Sequence, residues 1–391
     1  MKNRNFNKEK VCTISLAHLS HDIFSSFLAP LLPLLIEKLG ITLFMSAFLD
    51  IARRVPSLFN PFFGLMAEKK GVKYFVILTP AITAISMSLI GLSTSYIMLC
   101  LLLIVSGISS AFFHIPSPTM IKEASGNRVG LGMSFFMVGG ELARTVGPLL
   151  VLSGVSWWGL EGIYRLMPIG ILSSIILYIK LKDFDIDRPI KKSKNRGDVK
   201  KLLKEYYPFF IAIGFLIMAQ SGMKSALSFY LPVYLVHQGE SLWYAGISLS
   251  ILQFFGVLGT FLSGNFSDKI GRKNMLLIAS FASILFMGLF IWSGNIIILA
   301  LLGLSVFATN PVLLALVQDS SSNMPTFMNS IYMSINFGVS SFMVFVIGYL
   351  GDSYGLKTTY IVSALIALIA IPMIFILNRH REPPHPSSKT R

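Results

Sequence analysis

The chain has 391 residues, 54% of them hydrophobic and 13% charged, with a mean hydropathy of +0.70 and a formal net charge of +15. A soluble domain carries about 25% charged residues, so this composition leaves too little polar surface to cover a water-soluble core. The two cysteines, Cys12 and Cys100, both lie in apolar blocks and give neither a disulfide framework nor a Cys-rich metal site.

The apolar residues fall in blocks near the length that crosses a bilayer, about 20 residues as helix. They predict an all-α membrane protein with twelve transmembrane helices, at roughly 11–36, 43–66, 74–94, 96–120, 130–154, 161–181, 207–235, 241–266, 274–293, 296–318, 326–351 and 356–378. The basic start, Met1 to Lys10, precedes an apolar stretch as in a signal peptide. That stretch runs long, carries His18, His21 and Asp22, and shows no clear cleavage site, so it reads as an uncleaved first span. Turn chemistry marks many gaps, at Gly71, Ser93 to Ser95, Gly126-Asn127, Gly239, Gly294-Asn295 and Ser320 to Pro325.

With the N-terminus inside, 26 Lys and Arg residues fall on one side of the membrane, ten of them between Lys180 and Lys204. The other side has only Lys38, Arg165 and Lys357. Cytoplasmic loops carry the basic excess, so both termini are expected in the cytoplasm, in the cell (inner) membrane. The charge is thereby a topology signal, and no nucleic-acid partner is expected. The same loop divides the chain into a six-helix bundle at 1–181, a cytoplasmic linker at 182–206, a second bundle at 207–378 and a cytoplasmic tail at 379–391. The linker reads as a solvated segment against anionic headgroups, and the tail as disordered.

The halves repeat. Gly64, Glu68, Lys69 and Gly71 follow span 2, and Gly264, Asp268, Lys269, Gly271 and Arg272 follow span 8, at an offset of 200 residues. Ser134 pairs with Ser330, Asn127 with Asn323 and His114 with Asn310 at an offset of 196. Repeated halves mark many transporter folds, with the substrate site at mid-membrane where the repeats meet. The twofold G-x3-[DE]-[RK]-x-G-x-[RK] pattern resembles the signature loop of the major facilitator superfamily. The resemblance implies two pseudo-symmetric six-helix bundles, alternating access, a monomer, and a loop that latches the cytoplasmic ends. In physical terms, glycines allow close helix approach and the acid can pair with a base or a helix N-terminus. Glu68 stands where the pattern usually has aspartate and Val72 where it has a base, which suggests a weaker first latch.

A narrower resemblance covers about a quarter of the chain. It rests on His18 to Asp22 with Leu28 to Pro33, on Phe113-His114 through Asn127, and on Gly132 to Gly140 with Gly147 to Leu150. These stretches look like the fosmidomycin-resistance branch, which implies proton-driven export of drugs, a phosphonate antibiotic among them. The chain departs from that branch where it reads His-Pro-Glu, since here the run is His114-Ile115-Pro116-Ser117. The Gly139/Gly140 to Gly147-Pro148 run also resembles, in part, the exporter-type motif of the superfamily. Physically, its small residues let helices pack closely, and Pro148 is expected to loosen span 5.

Ionisable groups at bilayer depth are costly and are functional candidates by default. Seven lie within the predicted spans: Asp22, Asp50, Arg53, Arg54, Glu141, Arg144 and Lys224. His18, His21 and His114 join them. His18 stands one turn before Asp22, on the same helix face. Asp22 reads as a proton carrier or as a carboxylate held by a base. The spacing of His18, His21 and Asp22 would also suit metal ligands, but a hydrogen-bonded histidine pair explains it equally well, and no metal or other cofactor is assigned. Glu141 and Arg144 can neutralise one another at i, i+3, either as a fixed pair or as one that protonation opens to an anion. Asp50 with Arg53 and Arg54 offers the same choice, one arginine being left to find another partner. Lys224 either pairs with an acid on another helix or faces a cavity.

The proton-coupling candidates are thus Asp22, Glu141, His18 and His114, and the substrate candidates Arg144, Arg53, Arg54, Lys224 and Asp50. Four bases against three acids suit an anionic or zwitterionic small molecule, exchanged for protons. Phe112, Phe113, Phe135, Phe136, Phe229 and Tyr230 are candidate cavity liners. No phosphate-binding G-x-x-x-x-G-K-[ST] loop and no H-E-x-x-H is present, nor a G-x-S-x-G elbow, so no enzyme is expected. Export is the favoured direction, with import on the same fold as the alternative.

Overall fold

The computed structural model describes residues 6–59, 72–184, 199–318 and 325–379. The first signature loop (Gly64, Glu68, Lys69, Gly71), most of the basic linker, the turn from Ser320 and the tail beyond Arg379 lie outside the described residues. All regular structure among the described residues is helical. The first half comprises α1 (Lys8–Ser25), α2 (Leu28–Leu39), α3 (Leu43–Arg54), α4 (Val72–Leu89), α5 (Tyr96–His114), α6 (Ser117–Ser125), α7 (Val129–Trp158) and α8 (Met167–Leu181). The second comprises α9 (Val199–Phe229), α10 (Leu231–His237), α11 (Leu242–Ile270), α12 (Arg272–Ser293), α13 (Ile296–Phe307), α14 (Thr309–Gln318), α15 (Pro325–Tyr354), α16 (Leu356–Ala367) and α17 (Ala370–Arg379).

Eleven helical stretches among the described residues are long and apolar enough to cross a bilayer. The second predicted span begins as α3, and its far part lies outside the described residues. Helix is the natural spanning form because lipid offers no partner to an open backbone N–H or C=O. Apolar side chains recur on exposed faces, as Ile278, Phe281, Leu285, Leu289 and Trp292 do along α12. Such a stripe is disfavoured in water and suits contact with lipid.

Five predicted spans are not single helices. They break between α1 and α2, α5 and α6, α9 and α10, α13 and α14, and α16 and α17. Each break has a proline four residues beyond it or beyond its edge: Pro30 after Ser26, Pro118 after His114, Pro232 after Ser228, Pro311 after Phe307 and Pro372 after Leu368. A proline ring clashes with the carbonyl four residues back and supplies no N–H to it. Breaks in spans 1 and 4 recur in spans 7 and 10, as the repeat requires. Pro148, expected to loosen span 5, lies within α7 without dividing it.

By contacts, the chain falls into two compact units. The first takes in Met1–Lys192 together with Phe229–Phe254. Its most extensive helix contact joins α1 to α7, and α4 packs on α5 and α8. Glycines let these helices approach: a Cβ at Gly139 would strike the Ser15 carbonyl, one at Gly147 the Ser26 side chain, and one at Gly107 of α5 the Arg53 carbonyl of α3. Ion pairs fasten the helix ends. Lys180 meets Glu9 at 2.7 Å, and at the opposite end Lys38 reaches Glu161 at 2.7 Å and donates to the Gly91 carbonyl at 2.8 Å. The stretch from Phe229 belongs to this unit through α2–α10 packing. Buried Tyr230 donates its hydroxyl to the Leu43 carbonyl at 3.0 Å, and Trp243 Nε1 donates to Ser156 at 2.7 Å.

The second unit, Ser193–Ser228 with Phe255–Arg391, has its core among Phe209 to Ala219, Leu276, Val312 to Val317, Tyr332 and Ile374. Here α12 packs on α13, α14, α16 and α17, and α15 on α14 and α16. Gly259 of α11 sits against the Leu304 carbonyl of α13, which joins spans 8 and 10 as Gly107 joins spans 2 and 4. Its buried polar contacts are neutral ones, such as Gln220 Nε2 to Ser280 at 2.8 Å and Tyr360 to the Ala226 carbonyl at 2.9 Å.

Candidate functional site

The charged and histidine candidates of the first half gather in the first unit. Asp22 lies in the last turn of α1, just before the Pro30-induced break, and is buried. Three imidazoles close on its carboxylate. His21 Nδ1 is 2.8 Å from Oδ1, His18 Nε2 is 3.2 Å from Oδ2, and His114 Nε2 is 3.3 Å from Oδ1. His114 is the last residue of α5, where the chain breaks before Pro116 and Pro118. Its side chain is 40% exposed, against 10% for Asp22. It therefore links the buried carboxylate to the surroundings.

One hydrogen bond fixes the tautomer of His18. His18 Nδ1 faces the Phe136 carbonyl at 2.8 Å. A carbonyl only accepts, so Nδ1 carries the donating N–H. His18 Nε2 then faces Asp22 Oδ2 at 3.2 Å, a contact that a proton on either atom would complete. His21 Nδ1 and His114 Nε2 stand where an N–H would donate to Asp22 Oδ1. The donor atoms of His18, Asp22 and His114 lie within 4.8 Å of one another.

Aromatic rings wall the cluster. Phe136 stacks on His18 with centroids 4.0 Å apart, and Phe113 on His21 at 4.6 Å. Both phenylalanines are buried; they support the histidines and do not line an open cavity. Phe112 stacks on Phe75, and Tyr230 is fully buried. Phe135 is exposed.

Asp50 of α3 takes both arginines. Arg53 Nη2 is 3.2 Å from Oδ1 and Arg54 Nε 2.8 Å from Oδ2. The sequence had left one arginine to seek another partner; one carboxylate with two oxygens at i+3 and i+4 serves both. Arg53 also reaches the backbone oxygen of Ser25 at 3.5 Å and its hydroxyl at 3.4 Å. On α7, Arg144 Nη1 donates to both Glu141 oxygens, at 3.0 and 3.2 Å. Arg144 is half exposed, and only this one nitrogen is engaged among the described residues. In the second unit, the Lys224 ammonium lies over the Phe307 ring, 5.1 Å from its centroid.

The second signature loop is fully in view. Gly271 adopts φ +88°, a conformation that L side chains rarely reach, and turns the chain from α11 into α12. Arg272 folds back to pair with Asp268 and donates to Ser267. A Cβ at Gly264 would meet nothing among the described residues, whereas close helix approach is seen at Gly107 and Gly259. Lys269 is exposed at the end of α11.

This many apolar helices, with charges paired inside the first unit, define a polytopic membrane protein. The family description "Major Facilitator Superfamily" matches residues 14–344, and the chain belongs to that superfamily. It is 24% identical over 380 residues to the fosmidomycin resistance protein of Escherichia coli (strain K12), covering 94% of this chain and 93% of that one. It is 24% identical over 276 residues to the multi-drug resistance efflux pump PmrA of Streptococcus pneumoniae, covering 66% and 67%. Among solved structures, a bacterial homologue of the human lysosomal transporter Spinster superposes with a TM-score of 0.77 at 14% identity, covering 97% of this chain and 99% of that one. The nucleoside transporter NupG superposes with a TM-score of 0.72 at 14% identity, covering 96% and 100%.

Proposed function

We propose that this transporter is a proton-coupled exporter of small organic anions or drugs, acting by alternating access. The observation that supports the reading is the buried Asp22 carboxylate, met by three histidines. An uncompensated carboxylate at bilayer depth is costly, so the carboxylate keeps company with a proton or a cation. His114, the exposed member, passes the proton in and out. Arg144 rides on the same unit with most of its guanidinium unengaged, and Glu141 holds it until an anion competes. Within the first unit, Arg53 and Arg54 carry one positive charge more than Asp50 balances, which favours an anionic substrate. Relatives named for fosmidomycin and multidrug resistance support export. The excess of basic residues in the loops supports a reading with both termini in the cytoplasm.

Everted membrane vesicles with an acidified lumen and a pH-sensitive dye test this. An exported compound added outside enters the lumen as protons leave, and the dye signal recovers. A panel of anionic compounds, phosphonates first, is expected to contain such a compound. No recovery with any of them, together with accumulation of one of them by intact cells, would establish import instead.

Two substitutions probe the parts. Arg144→Gln removes the anion's counter-charge and frees Glu141. It is expected to raise the KM for an anionic substrate about tenfold or more, the scale of losing a charged hydrogen bond worth about 1.5–3 kcal/mol. An unchanged KM would remove Arg144 from the substrate site. Asp268→Asn cuts the tie to Arg272 at the α11–α12 turn. It is expected to slow transport while substrate affinity in detergent stays at the wild-type value. Wild-type transport rates would deny the loop a gating role.

A further inference from the structure

Between the His18–Asp22 cluster and the Glu141–Arg144 pair lies one short stretch of α7, and it packs closely on His18. Three features of α7 meet the same imidazole. The Phe136 carbonyl accepts the Nδ1 proton at 2.8 Å. The Phe136 ring stacks on it at 4.0 Å between centroids and 23° between planes. One turn on, Gly140 presents no side chain, and a Cβ there would run into His18 Cε1 and Nε2. The atom that a side chain at position 140 would displace, Nε2, is the one that meets Asp22. Glu141 follows directly, and Arg144 stands one further turn along the helix from Gly140.

We propose that Gly140 is a positioning residue: with the Phe136 carbonyl it seats His18 on α7, so that the proton shared with Asp22 and the position of the Arg144-bearing helix are mechanically linked. The inference rests on the proton reading given above and deepens it. While the proton is present, Nε2 and Oδ2 attract, and the ring lies flat in its seat. When the proton leaves, a bare Nε2 lone pair faces a carboxylate. The two repel, and the ring is driven toward Gly140, where α7 has no slack. Movement of α7 against α1 in turn pulls the Phe136 carbonyl from Nδ1 and spoils the Asp22 contact. Proton occupancy and the placement of Arg144 thereby bias one another, as linkage demands.

The groups that face His18 and Asp22 are few. His21 comes from α1 and His114 from α5, and the charge of Arg53 on α3 reaches Asp22. No titratable side chain of α4, α6 or α8 contacts His18 or Asp22 among the described residues.

A double-substitution cycle tests the seat. Gly140→Ala, His18→Gln and the double variant are compared by the pH profile of transport, with Gly139→Ala as control. A Cβ at Gly139 would meet the Ser15 carbonyl first and then the Leu19 backbone nitrogen, with no atom of the His18 ring among its three nearest neighbours. Gly140→Ala is expected to shift the pH profile in the same direction as His18→Gln, and the double variant no further than the larger single shift. Gly139→Ala is expected to lower the rate without moving the profile. Additive shifts, a wild-type profile for Gly140→Ala, or an equal shift from Gly139→Ala would each overturn the proposal. Melting temperature in detergent is a second arm that needs no transport. Gly140→Ala is expected to lower it in the wild-type background and to cost much less when His18 is alanine, because the clashing ring is gone. Equal costs in both backgrounds would refute the seat even if proton coupling stands. A wild-type profile for His18→Gln would contradict the proton reading itself, and the melting cycle then decides the seat alone.

Discussion

Replacing Asp22 with asparagine is expected to abolish gradient-driven transport while leaving gradient-free substrate exchange in place at a weakened substrate affinity. Asparagine keeps the size of the side chain and one carbonyl acceptor for the imidazoles. It cannot take up or release the proton that the cluster holds. The proton reading rests on the geometry of His18, which directs Nδ1 to the Phe136 carbonyl and still meets Asp22 Oδ2 through Nε2 at 3.2 Å. With asparagine, the amide N–H₂ donates to His18 Nε2 and permanently imitates the protonated state. Transport assays with and without a proton gradient, beside a direct binding measurement, separate the two effects. Full gradient-driven transport by Asp22→Asn would move the coupling role elsewhere, first to Glu141.

Asp50→Ala has the largest expected effect on stability. The Asp50 carboxylate is buried and answers two arginines at once. Its removal leaves two guanidinium groups without their counter-ion; the Arg53 side chain is 25% exposed and the Arg54 side chain 40%. Breaking a fully buried ion pair by deleting one partner costs about 3–5 kcal/mol, and water at Arg54 brings the cost here below that range. A clear fall in melting temperature of the detergent-purified protein is expected, with poor yield from membranes. Asp50→Glu is expected to recover part of it, because charge returns with imperfect reach. An unchanged melting temperature for Asp50→Ala would mean that Arg53 and Arg54 are satisfied by other groups, such as the Ser25 oxygens near Arg53.

Much of the architecture could be read from residue patterns because lipid imposes a simple rule: apolar blocks of bilayer length are helices. The repeat was visible as well, since the signature loops keep their spacing. Breaks within spans were less readable. Pro30, Pro118, Pro232, Pro311 and Pro372 coincide with interruptions, whereas Pro148 lies inside an unbroken α7. The ring clash is the same in each case, and neighbouring helices decide whether the chain bends or stops. At the site, the His18–Asp22 pairing follows from i, i+4 geometry alone. His114 is 92 residues further along the chain, and only packing at the end of α5 brings it to Asp22. That Asp50 would hold both arginines depends on rotamers, which spacing does not determine. Gly140 was visible only as one glycine in a glycine-rich stretch, and its contact with one imidazole emerges from the α1–α7 packing. Gly264, by contrast, belongs to a strong sequence pattern and packs against nothing among the described residues.

The central claim is that substrate and proton compete through the Asp22 cluster. The most direct measurement adds an active compound from the vesicle panel to purified protein in weakly buffered detergent solution and records the pH change. The account predicts proton release on binding by the wild type and none by Asp22→Asn at equal occupancy. Binding without proton release by the wild type, or equal release by both proteins, would contradict it.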